Sequence, residues 1–346
     1  MKRYLYNLAT DKSKGLIAGL IKVFLFLLSL IYGAIVRALI FFNRIFARRL
    51  SCKVISVGNI TLGGTGKTSL VEFICRYLRQ QDHKVAVLSR GYKRRADTPG
   101  DEPGMLLRNL GDIPVIVDKN RIRGAKRAML EYKADTVVLD DGFQQWKIKK
   151  DLEIVTVDAT RPFGNRHMLP RGILREPLSS LKRADIFVLT KTNLNPDTGV
   201  TIDTLKKLNP GALIVESIHQ PVGFYDIKQP EDSISTGNLK GKAAAVFSGI
   251  GDPESFENLI MSLGIKIGLS FRFQDHHHYT QEDLDKIIKS AQGKFINTVM
   301  TTEKDAARLH TLHITHYTLH ILVLRIQLAV KNEERFFNRL LSLYSL

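Results

Sequence analysis

Gly63-Gly64-Thr65-Gly66-Lys67-Thr68 brings glycines, an ammonium and a hydroxyl into one short stretch of chain. Glycines let backbone N–H groups converge on phosphate oxygens, and a following helix N-terminus adds positive potential. Lys67 is then expected to reach the β- and γ-phosphates of a nucleotide, and the Thr68 hydroxyl to ligate Mg²⁺. The phosphate-binding stretch begins at Thr61-Leu62, where the strict pattern would place a glycine at Thr61. Further on, Thr136-Val137-Val138-Leu139 runs into Asp140-Asp141. A strand ending in two acids is by itself an ordinary turn. Beside a phosphate loop it reads as a Walker B element, with Asp140 and Asp141 joining Thr68 as metal ligands. Thr190-Lys191-Thr192-Asn193 occupies the place of a guanine reader but ends in an amide instead of a carboxylate, which favours ATP over GTP.

These groups need a frame. Lys53-Val54-Ile55-Ser56-Val57 is a short β-branched run before the loop, and Leu70, Val71, Phe73, Ile74, Tyr77 and Leu78 follow a helical period after it. Further strand-like runs fall at Lys84–Ser89, Pro114–Asp118, Ile154–Asp158, Asp185–Thr190 and Leu213–Ser217, between helical or loop stretches. That alternation predicts an α/β fold: a P-loop NTPase-type, mostly parallel sheet with helices on both faces. Residues 309–328 read as strand structure and 332–346 as a closing amphipathic helix. The expected domains are 1–48, a membrane-anchor helix; 49–222, a P-loop ATP-binding domain; and 223–346, a smaller C-terminal α/β domain.

Composition places the protein beside a membrane. The formal net charge is +17, and residues 1–49 carry nine basic side chains against Asp11 alone. Leu16 to Val36 holds only Lys22 as a charge, in a stretch long enough to cross a bilayer core. Lys22, Ser29, Gly33, Arg37, Arg44 and Arg48 recur at steps of seven or four, one polar stripe on a helix. That stripe is expected to turn toward anionic headgroups if the helix lies in the interface; spanning and lying flat both stay open. Cys52 and Cys75 show no paired spacing, which argues against a disulfide scaffold or a cysteine zinc site. No basic run interleaved with aromatics marks nucleic-acid binding.

Several segments together resemble one family, the lipid A 4′-kinases (tetraacyldisaccharide 4′-kinases). They are Ser56-Val57-Gly58-Asn59 through Lys67-Thr68, Ser89-Arg90-Gly91-Tyr92, Gly100-Asp101-Glu102-Pro103, and Asp140 through Gln144. They continue with Leu169 through Pro177, Ser248-Gly249-Ile250-Gly251-Asp252-Pro253, Phe273-Gln274-Asp275-His276 and Thr302-Glu303-Lys304-Asp305. Ser69 and Gln145 depart from the family pattern. The resemblance implies transfer of the γ-phosphoryl group of ATP, with Mg²⁺, to the 4′-hydroxyl of an acylated glucosamine disaccharide 1-phosphate in lipopolysaccharide synthesis. It further implies a place at the bacterial inner membrane with the catalytic domains on the cytoplasmic face, and a monomer is expected. Asp101 becomes the expected proton acceptor and His276 its tuning or orienting partner, with His277 and His278 as ordinary loop residues. Arg121 and Arg175 become candidates for the γ-phosphoryl group or the lipid 1-phosphate, roles the sequence leaves unseparated. The competing reading is a membrane-associated P-loop ATPase that drives transport or assembly.

Overall fold

The computed structural model describes residues 7–91, 101–195, 197–309, 312–314 and 317–345. They divide into two compact units. The first comprises Met1–Gly91, Leu110–Ile218 and Val330–Leu346; the second comprises Tyr92–Asn109 and His219–Ala329. The chain thus first changes unit after Gly91, and the C-terminal segment groups with the first unit instead of continuing the second.

Helix α1 spans Leu16–Ile45, 30 residues that are long and apolar enough to cross a membrane. It buries one narrow face, Ala18, Leu25, Ser29, Gly33 and Val36. Ser29 tolerates burial because its hydroxyl donates to the Phe26 carbonyl one turn back, at 2.7 Å. A β-carbon on Gly33 would lie 3.3 Å from the Met168 sulfur, so the glycine lets α1 approach the segment around Met168 closely. The N-terminal half of the polar stripe turns inward. Lys22 pairs with Asp11 at 2.8 Å, and Arg171 holds the same carboxylate at 2.9 Å. Leu16, Ile17, Leu20, Phe24, Leu27 and Ile31 point outward, and from the stripe only Arg37, Arg44 and Arg48 remain exposed. A narrow face of mixed small, apolar and polar residues seals the helix to the protein; large apolar residues face away from it.

The first unit is built on β1 (Lys53–Gly58), β2 (Val85–Ser89), β3 (Val115–Val117), β4 (Thr136–Asp140), β5 (Leu152–Asp158), β6 (Ile186–Thr190) and the start of β7 (Leu213–Asp226). All pair in parallel, in the order β7-β6-β5-β1-β4-β2-β3. Strands covered on both faces need apolar residues throughout, and β2, β4 and β6 are buried along their whole length. Helix α2 (Lys67–Gln80) covers β1, β2 and β4, while Ala125 and Ala128 of α4 (Arg121–Glu131) pack on Val54, Leu88 and Val137. Because β1 lies between β4 and β5, the crevice at the carboxyl ends opens at the strand that leads into the glycine loop. The closing helix, expected at 332–346, forms over Glu333–Leu341 and stacks Phe337 on Tyr77 of α2 at 3.5 Å.

The second unit orders its strands β10-β9-β11-β12-β7-β8, where β8 is Gln229–Ile234, β9 Ala243–Ser248, β10 Lys266–Arg272, β11 Thr298–Thr302 and β12 His320–Val330. Phe247, Leu284, Ile287, Val299 and Ile321 form its core, with Leu284 and Ile287 from the helix Gln281–Gln292. Strand structure was expected from residue 309, yet β12 begins at His320. Leu309 and Leu319 are buried in the same core from outside any strand, so their apolar signal reports packing and not pairing.

Candidate active site

The glycine loop emerges from β1 and closes onto α2 through Gly66, whose φ of 78° is left-handed and suits a residue without a β-carbon. Thr65 is tied down from two strands. Its hydroxyl lies 2.7 Å from that of Thr156 on β5, and its carbonyl accepts from the Thr190 hydroxyl on β6 at 3.1 Å. Lys67 donates to the Asn59 side-chain oxygen at 3.2 Å and lies 3.6 Å from Asp141. Thr68 is buried in the first turn of α2.

Asp140 ends β4, buried, with the Ser89 hydroxyl 3.3 Å from its carboxylate. Asp141 follows with a φ of 54° and takes both Lys67 and Arg175, the latter at 2.9 and 3.0 Å. Burial raises the Asp141 pKa, but these two cations more than offset it, so the carboxyl is held below its ordinary range. Arg175 also bonds Gln144 at 3.1 Å, and its own amide donates to the Ile60 carbonyl at 2.8 Å. Leu62 in turn donates to the Ile173 carbonyl at 2.8 Å, so segment 173–175 is stitched to the start of the phosphate loop.

The two candidate arginines occupy different environments. Arg121 is only 3 % exposed, and its guanidinium donates to the carbonyls of Asp118 at 2.8 Å and Asp140 at 3.1 Å. Burial brings its pKa down to about 10 against the pull of Asp140 and Asp141. It braces the strand ends that carry the carboxylates, whereas Arg175 reaches a carboxylate directly. Among the described residues no three His, Cys, Asp or Glu converge as a protein-only metal cage. A hydroxyl, two carboxylates and nucleotide phosphates are hard oxygen donors of the kind Mg²⁺ takes. The residues present fit that ion.

His276 belongs to the second unit, in the loop after β10. Its backbone is left-handed at φ 60°, and its amide donates to the Gly249 carbonyl at 2.9 Å. Asp101 opens helix α3 (Asp101–Leu110); the segment Tyr92–Asn109 groups with the second unit, and the Asp101 side chain lies outside the described part. His277 pairs with Asp283 at 2.9 Å, which caps a helix. Sequence reasoning assigned no role to Asn59, Ser89, Gln144, Thr156, Thr190 or Glu176. Glu176 is fully buried, accepting from Gln144, Trp146 and Arg183. Asn59, Ser89, Gln144 and Glu176 all stand inside the motifs that carried the family resemblance, the one signal that singled them out.

A parallel sheet, a glycine loop leading into a helix and two strand-end acids define a P-loop nucleotide-binding protein. The profile of the tetraacyldisaccharide-1-P 4′-kinases matches residues 21–345, and the chain belongs to that family. A tetraacyldisaccharide 4′-kinase of Halothermothrix orenii is 34% identical, across 96% of this chain and 95% of its own. One from Elusimicrobium minutum is 35% identical, across 83% and 81%. The crystal structure of LpxK from Aquifex aeolicus in complex with ATP superposes with a TM-score of 0.74 at 26% identity, covering 94% of this chain and all of that one.

Proposed function

We propose that this enzyme transfers the γ-phosphoryl group of ATP to the 4′-hydroxyl of an acylated glucosamine disaccharide 1-phosphate at a membrane surface. The observation that carries the reading is the convergence of Lys67 and Arg175 on Asp141 beside the phosphate loop, in a chain whose family match runs nearly end to end. The loop amides and Lys67 hold the phosphates; Arg121 braces the strand ends that present Asp140 and Asp141. Thr68, Asp140 and Asp141 would hold Mg²⁺, which neutralises charge on the phosphate oxygens. The acceptor oxygen bonds to the γ-phosphorus as the bridge to the β-phosphate breaks, ADP leaves, and Asp101 takes the hydroxyl proton with His276 orienting it. Arg175 stands ready for phosphate charge once nucleotide competes with Asp141 for its guanidinium.

The exposed apolar face of α1 and the basic side chains at its end support association with the inner membrane, the catalytic units lying on the cytoplasmic side where ATP is found. ATP labelled in its γ-phosphate, incubated with the protein and an acylated disaccharide 1-phosphate in mixed micelles, tests the activity. Label passing into the organic phase with a 4′-phosphate is the expected result. Release of inorganic phosphate with no labelled lipid would support an ATPase instead.

A further inference from the structure

Two motifs of the second unit have no part in the chemistry above: Ser248-Gly249-Ile250-Gly251 after β9, and Thr302-Glu303-Lys304-Asp305 after β11. They meet at His276. Asp305 is fully buried and accepts four hydrogen bonds, from the Gly249 amide at 3.0 Å, Tyr279 at 2.9 Å, Thr302 at 2.6 Å and Arg308 Nη1 at 3.0 Å. That fixes Arg308, only 7% exposed, whose Nη1 also donates to the Gly249 carbonyl at 2.9 Å. The second guanidinium nitrogen, Nη2, lies 3.4 Å from His276 Nδ1. Gly249 itself leaves no room for a side chain: a β-carbon would come within 3.1 Å of His277 and Tyr279 and 3.2 Å of the Gln274 carbonyl. The glycine thus lets the histidine loop lie against the buried charge pair, with the His276 amide bonded to the same carbonyl as Arg308.

A guanidinium has only donors, and it keeps its proton in proteins. The ring nitrogen facing it must offer a lone pair, so the imidazole proton belongs on Nε2. On the other side, Nε2 lies 3.9 Å from the Asp275 carboxylate, beyond hydrogen-bond range. We propose that Arg308, clamped by Asp305, is a positioning residue that fixes His276 as the neutral Nε2–H tautomer. The ring then serves phosphoryl transfer as a hydrogen-bond donor through Nε2 and has no lone pair there to take the substrate proton. That proton passes to the carboxylate partner. The proposal rests on the reading of His276 as half of a catalytic pair with Asp101.

The test is long-range ¹H–¹⁵N correlation of histidine ring nitrogens in the full chain in detergent micelles near neutral pH, with His276 assigned by its loss in His276→Gln. The expected wild-type pattern is an unprotonated Nδ1 and a protonated Nε2; a proton on Nδ1 overturns the proposal without need of any variant. Arg308→Met should give mixed tautomers and lower kcat at least about 10-fold while leaving the KM for ATP unchanged. Should that variant fail to fold, Arg308→Lys keeps a cation for Asp305 without the fork to Nδ1 and should show the same split. A folded Arg308 variant with wild-type tautomer and kcat overturns the proposal. Full turnover by His276→Gln would overturn the catalytic reading on which it rests, even with the tautomer as expected.

Discussion

Lys67 lies between the Asn59 amide oxygen and the Asp141 carboxylate, held in place before any phosphate arrives. Lys67→Ala removes the ammonium meant for phosphate, and Thr68→Ala removes one hydroxyl. Each variant should therefore lose turnover nearly completely while keeping its folded circular dichroism. Near wild-type kcat at saturating MgATP in either would show that the loop is a decoy. Asp101 and His276 call for a different design, since groups acting as one unit give non-additive losses. Each alanine variant should lower kcat by about 10²-fold or more. The double variant should be little worse than the more damaging single one, and multiplicative losses would separate the two residues. The loop and strand end that carry Lys67, Thr68, Asp140 and Asp141 were legible in sequence because a few adjacent residues state each of them. The Arg308 contact was not, because it depends on two loops bringing residues 276 and 308 together.

At the scale of elements, α1 and segment 165–175 behave as one piece. Tyr32 donates to the Arg175 carbonyl at 3.1 Å, Phe26 packs edge-on to His167, and Gly33 lies against Met168. The same segment is stitched to the phosphate loop through Ile60 and Leu62. Gly33→Leu overpacks that seam, a change that costs about 1–3 kcal/mol. It should lower lipid turnover while flotation with anionic vesicles persists; unchanged turnover would reduce the helix to an anchor alone. Asp11 closes the seam. Burial would raise its pKa, but hydrogen bonds from Lys22 and Arg171 hold it far below the ordinary carboxylate range. A depressed folded pKa contributes stability that is present above the unfolded value near 4 and lost as pH falls through the folded one. Asp11→Asn should thus melt lower than wild type at neutral pH and lose less on acidification below about pH 4. Parallel melting curves down that range would show the seam contributes nothing. A polar stripe reads the same in sequence whether it meets headgroups or, as Lys22 does, an aspartate of the chain itself. Its direction had to come from the fold.

At the scale of the molecule, the parallel sheet of the first unit was legible strand by strand, because fully buried strands leave apolar runs bounded by turns. Membership of the units was not. Segment 92–109 lies between two strands of the first unit in sequence yet groups with the second, and 330–346 returns to the first. Such long-range grouping leaves no local mark. The outward face of α1 also governs how the protein behaves outside a membrane. Sixteen side chains between Leu16 and Phe46 make up most of the large exposed hydrophobics among the described residues, gathered on one rod. Stripped of lipid and detergent, two copies would shield these rods from water by pairing them, whatever their habit in a bilayer. A sizing column run without amphiphile would then measure the solvent's dislike of α1, and a dimer peak there would say nothing of subunit design.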